Sequence, residues 1–164
     1  MILKNLNKNF LINVFLISLI FLLDRISKIY VINLNQKLLG SEIFSSNYLN
    51  ISLIWNEGIA FGLFSFSQTI LYDILTLFIS LVIIIILIML IKSNDLRKYP
   101  LLMILGGAIG NLYDRVFYKA VPDFIDVHVN NFHWFIFNVA DIFISIGVIF
   151  MILIEIIGNK KKHD

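Results

Sequence analysis

The chain has 164 residues, of which 59% are hydrophobic and only 15% charged, and its mean hydropathy is +0.90. Those proportions exclude an ordinary soluble domain and require an integral membrane protein. Cysteine is absent, which excludes disulfides, thiolate nucleophiles and Cys-ligated metals. The net charge of +2 does not point to nucleic acid, because the Lys and Arg residues gather at the ends of apolar runs.

Taken in chain order, "MILKNLNKNFLINVFLISLIFLLDRISK" has the basic head and apolar stretch of a secretory signal, but Asp24-Arg25 follows in place of a small-residue cleavage site. It reads as an uncleaved first span. Four stretches reach the roughly 20 mostly apolar residues that a bilayer crossing needs: Phe10–Ile32, Thr69–Ile91, Pro100–Phe117 and Phe135–Ile157. Between the first two, Leu49, Ile51, Leu53 and Trp55 alternate with Asn50, Ser52 and Asn56, which predicts a strand. A second strand is expected in "DFIDVHV", before a turn at Asn130-Asn131. The expected fold is an all-α membrane protein with four transmembrane helices forming a single membrane-embedded domain over residues 1–164. A small extracytoplasmic β element is expected between spans one and two.

Lys4, Lys8, Lys92, Arg97, Lys98 and Lys160 to Lys162 fall on one side of this arrangement, so both termini are expected in the cytoplasm. The first loop and the Asp-rich connection between spans three and four then share the opposite face.

The embedded polar residues concentrate near that face. In "LDRISK", Asp24 and Lys28 stand at i and i+4, an ion-pairing spacing on one helix face, suited to packing and insertion. "WNEGIAFGLF" offers Asn56 with Gly58 and Gly62, where tight backbone paths are possible. "GGAIGNLYDR" has small residues that allow close helix approach, and then Asn111, Asp114 and Arg115. Asp114 and Arg115 are adjacent and do not face each other, so each needs a partner elsewhere.

"VPDF" and "FNVAD" bring Asp123 and Asp141 to the same end of spans three and four. Two carboxyl groups close together in a low-dielectric site share a proton, and such a pair serves either aspartic-protease chemistry or a transporter's proton relay. Asp123, Asp126, His128 and His133 also form a metal-type residue set, although the histidine spacing does not suit a helical pair. An interfacial role beside Phe132 and Trp134 suits the two histidines better, and neither metal nor cofactor is expected.

Four stretches together resemble the bacterial lipoprotein signal peptidases, the signal peptidase II family. Asp24 to Lys28 matches D-x-x-x-K, and "NEGIAFG" matches N-x-G-x-A-F-G. "GGAIGNLYDR" with "VPDF" matches G-G-A-x-G-N-x-x-D-R followed by D-F, and "FNVAD" matches F-N-x-A-D. The resemblance implies an aspartic endopeptidase of the bacterial cytoplasmic (inner) membrane with Asp123 and Asp141 as its catalytic pair. Asn56, Gly58, Asn111, Arg115, Asn138 and Ala140 would line or support the site, and Asp24 and Lys28 would stabilise it from the first span. The implied partners are membrane lipids and prolipoproteins cut before a diacylglyceryl-modified Cys, with no nucleic acid; a monomer is expected. Three positions depart from the family pattern: Arg25 replaces a common Gln, Lys119 a frequent Gly, and Pro122 a usual aliphatic residue.

Overall fold

A computed structural model describes residues 2–58 and 68–163. The order is α1 (Ile2–Lys37), β1 (Phe44–Ser45), β2 (Leu49–Asn56), α2 (Gln68–Lys92), α3 (Lys98–Tyr118), β3 (Val121–Val129), β4 (Phe132–Phe137) and α4 (Val139–His163). Among the described residues, three helical segments are long and apolar enough to cross a membrane: Phe10–Lys37, Tyr72–Lys92 and Val139–Gly158. Their outward faces are lined by exposed apolar side chains such as Phe15, Leu22, Leu77, Ile84, Phe150 and Ile156, as expected where the solvent is lipid. The chain is a multi-pass membrane protein.

The bundle is organised around α3, which packs against α1, α2 and α4. Close approach depends on its small residues. A Cβ at Gly107 would lie 2.5 Å from the Ala140 carbonyl of α4, and one at Gly110 would lie 2.6 Å from the Asp24 carboxylate of α1. Elsewhere in the bundle, Leu90, Leu101, Leu102 and Leu105 bury one another, with Leu16, Ile17 and Met151 packed around them.

The four strands form one antiparallel sheet in the order β1-β2-β3-β4. The strand expected in "DFIDVHV" is β3, and the sheet is larger than the β element expected between spans one and two, because β3 and β4 from the α3–α4 connection supply half of it. The alternation over Leu49–Trp55 does appear as β2. Its register against β3 slips, however: Ile51 pairs with Ile125 but Ile54 with Asp123, so β2 carries one extra residue. Such a bulge re-aims the side chains beyond it.

The fourth helix also starts later than hydropathy predicts. Phe135 to Phe137 belong to β4, and the helix begins at Val139. Apolar content alone cannot separate a strand end from a helix start; here backbone pairing with β3 and the Asn138 cap decide.

Two of the departures have local explanations. Lys119 ends α3 in the left-handed conformation, φ +57°, where glycine has no Cβ penalty. Pro122 has no N–H to give a ladder, and it sits where β3 has β2 on one side only, since β4 pairing starts at Ile125.

Candidate active site

The site is assembled where α4 begins beneath the sheet. Asn138 is the residue before α4, and its Oδ1 accepts from the Asp141 N–H at 3.2 Å, while the Asn138 N–H donates to Asp141 Oδ2 at 3.1 Å. This is a reciprocal capping box, with Asp in the position usually held by Glu or Gln. Between them, the Ala140 N–H donates to Asp24 Oδ1 at 3.1 Å. The Asn138 and Ala140 N–H groups thus end on carboxylates and the Asp141 N–H on an amide oxygen, at the end of a helix whose dipole stabilises negative charge.

Asp123 reaches this point from β3. Its Oδ1 accepts from Asn138 Nδ2 at 2.6 Å and its Oδ2 from Asn56 Nδ2 at 2.8 Å. The remaining oxygen, Asp141 Oδ1, accepts from Asn111 Nδ2 at 2.7 Å. All four carboxylate oxygens thus hold one N–H donor each, and none of these donors carries a charge.

The three amides are themselves pinned. Asn56 Oδ1 accepts from the Gly58 N–H at 2.7 Å, Asn138 Oδ1 from the Asp141 N–H, and Asn111 Oδ1 from Lys28 Nζ at 2.9 Å. Each amide oxygen faces a group that can only donate, so each amide nitrogen must face a carboxylate. Gly58 makes the Asn56 turn possible by adopting φ +74°.

Burial pushes the Asp123 carboxyl above its usual range, and the nearby Asp141 charge acts in the same direction; the bonds from Asn56 and Asn138 oppose them. A carboxyl group held toward protonation, beside a second one seated at a helix N-terminus, is the arrangement that paired acid and base chemistry requires. Beside Asp141 lies a cavity of about 350 Å³ lined by Val127, Trp134, Phe135, Phe137, Ile142 and Ile146, almost wholly apolar.

The sequence profile of the family described as Signal peptidase (SPase) II matches residues 16–157. The chain belongs to the signal peptidase II family. It is similar to the lipoprotein signal peptidase of Pelagibacter ubique, at 48% identity over 96% of this chain and 95% of that one. The Anaplasma marginale lipoprotein signal peptidase is 35% identical, over 94% and 89% of the respective chains. Two solved structures described as bacterial membrane enzymes superpose with TM-scores of 0.67, at 26% and 30% identity, covering 93% and 88% of this chain and 91% of each of theirs. As a signal peptidase II, the protein removes signal peptides from prolipoproteins by an aspartic mechanism.

The structure brings Asn56, Asn111, Asn138, Ala140, Asp123 and Asp141 together. Arg115 stands at the margin, donating to the Asn111 carbonyl at 3.4 Å. Ile59 to Gly62 of "NEGIAFG" lie outside the described residues. The set considered for a metal divides: Asp126 pairs with His133 Nδ1 at 2.8 Å, and His128 stacks on His133, while Asp123 turns to the asparagines.

Sequence reasoning missed three features. Arg25 is a network member, contacting Asp24 at 2.8 Å and Asp114 at 2.6 Å, and so supplies the partner that Asp114 needed. Lys28 reaches beyond Asp24 to Asp114 and Asn111. The capping box was legible, since N-x-x-D in "FNVAD" is its spacing.

Proposed function

We propose that Asp123 and Asp141 are the catalytic pair, and that the substrate is a prolipoprotein cut before a diacylglyceryl-modified Cys. The observation that carries this reading is the set of four uncharged donors on the four carboxylate oxygens. A cation would lock both groups as anions, whereas amide donors orient them and leave a proton free to be shared. Asp141 takes a proton from water as its oxygen attacks the scissile carbonyl carbon, and Asp123 gives its proton to the carbonyl oxygen. The tetrahedral intermediate collapses as Asp141 returns its proton to the leaving nitrogen and Asp123 recovers one from the hydroxyl. The products are a signal peptide carboxylate and a lipoprotein with a free N-terminal amine. Apolar parts of the substrate occupy the cavity beside Asp141, and β2 covers the other side with Asn56 and Trp55.

The protein acts as a monomer in the bacterial cytoplasmic membrane, surrounded by its lipids, with four spans and both termini cytoplasmic. Two observations support this. At 21 residues α3 is roughly 30 Å long, and its Asp114 is fully buried against Arg25 and Lys28 rather than turned to lipid. Lys92, Arg97 and Lys98 flank the α2–α3 connection, at the end opposite the sheet.

Purified protein in detergent, incubated with a diacylglyceryl-modified proprotein, tests the reading. The expected result is a mature product starting at the modified Cys, formed by the parent and not by Asp123→Asn or Asp141→Asn. Equal cleavage of the unmodified proprotein would remove the lipid requirement, and cleavage by either variant would remove the pair.

A further inference from the structure

Lys28 is completely buried, and its ammonium makes three contacts: Asp24 at 2.9 Å, Asp114 at 2.7 Å and Asn111 Oδ1 at 2.9 Å. An ammonium has three donors, so its capacity is filled, and one of the three goes to a neutral amide. Charge balance does not require that third contact, because Arg25 also reaches both carboxylates and its guanidinium lies 4.9 Å from the Tyr113 ring. Two cations already meet two anions. The third contact points elsewhere: the other end of the Asn111 amide donates to Asp141 Oδ1 at 2.7 Å.

We propose that Lys28 is a positioning residue for Asp141, acting through Asn111. The proposal rests on Asp141 being one of the catalytic pair. An asparagine side chain can present either end to a neighbour, and only contact with a group unable to accept selects one. Lys28 selects. With the ammonium removed, the amide is free to turn its oxygen toward Asp141, placing acceptor against acceptor where a donor had been. Lys28 itself touches no reacting atom, and its effect on the reaction passes wholly through the amide.

The test uses detergent-purified full-length enzyme and a diacylglyceryl-modified proprotein. Lys28→Met alone leaves an unbalanced buried carboxylate, so the main variant is Lys28→Met with Asp114→Asn, in which Arg25 still pairs with Asp24 and the cluster stays neutral. Its kcat is expected to fall about 10–100-fold, less than or equal to the fall caused by Asn111→Ala, with KM within about twofold. Besides Asp123 of β3, the charged side chains in this network are Asp24, Arg25 and Lys28 of α1 and Asp114 and Arg115 of α3. Their direct field is separated by repeating the substitutions in Asn111→Ala, where a further change below about threefold is expected because the intermediary is gone.

Parental kcat in the balanced variant overturns the proposal. So does a second full loss in the Asn111→Ala background, which would assign the effect to the field of the cluster. Failure of the balanced variant to insert also overturns it, leaving Lys28 a folding residue. Failure of the catalytic pair is a separate result, read from cleavage by Asp141→Asn, which no Lys28 variant produces.

Discussion

Asp24 and Asp114 lie on one side of Asn111, and Asp123 and Asp141 lie on the other. Asp24 and Asp114 are fully buried and tied to two cations, Arg25 and Lys28. Asp123 and Asp141 are bound by asparagine amides and one backbone N–H. The first arrangement balances each carboxylate with a cation and so suits joining α1 to α3 within the membrane. The second leaves protonation open, and a carboxyl group that must give and take a proton needs that freedom. Asn111 separates the two environments, with its oxygen on the ammonium and its nitrogen on Asp141.

The sharpest way to break this contrast is to neutralise one carboxylate in each pair. Asp123→Asn and Asp141→Asn are each expected to abolish cleavage, with the double variant about as inactive as either single one, because the two groups act as a unit. Both should still insert, since a neutral amide replaces a carboxyl group in a largely dry site. Measurable turnover by either single variant would put the chemistry elsewhere. Asp114→Asn is expected to act on stability instead, costing about 3 kcal/mol or more, because it leaves Arg25 and Lys28 sharing one anion. Its unfolding midpoint in detergent, compared with that of Asp123→Asn, makes the check; equal midpoints would erase the distinction between the pairs.

A third prediction concerns pH. Burial raises the Asp123 carboxyl above its usual range, so the folded state binds that proton more tightly than the unfolded chain does. The sign follows from linkage: this group weakens the fold as pH rises from the ordinary carboxylate range through the raised value, and the penalty is absent below both. Denaturation across that window should show parental stability falling relative to Asp123→Asn, and parallel curves would contradict the burial argument. Asn56→Ala removes a donor that opposes the rise, so the alkaline limb of the cleavage profile should move to higher pH.

The smallest expected effect lies outside both pairs. Lys119→Gly relieves a left-handed backbone residue and is expected to stabilise the protein by about 1 kcal/mol with cleavage unchanged. The same substitution removes the Lys119–Asp73 ion pair, which spans 3.3 Å between exposed groups and therefore offsets little of that gain. A destabilised Lys119→Gly protein would show that this ion pair outweighs the strain.

Much of this molecule is determined by sequence alone. Uninterrupted apolar runs can satisfy their backbone in lipid only as helices, so the membrane class and the helical segments follow from composition. The residues of the site are also legible, because "FNVAD", "VPDF" and "GGAIGNLYDR" concentrate polar groups where hydrocarbon would reject them. What the tertiary structure decided is which carboxylates meet cations and which meet amides. Arg25 and Asp114 are 89 positions apart, and their pairing depends on how closely Gly110 lets α3 approach α1. The aim of Asn56 at Asp123 depends on a bulge in β2 and the left-handed turn at Gly58, and the start of α4 on pairing that takes Phe135 to Phe137 into a strand. Local pattern is blind to all of these, since residue spacing records which face of an element a side chain occupies and carries no information about what packs against it.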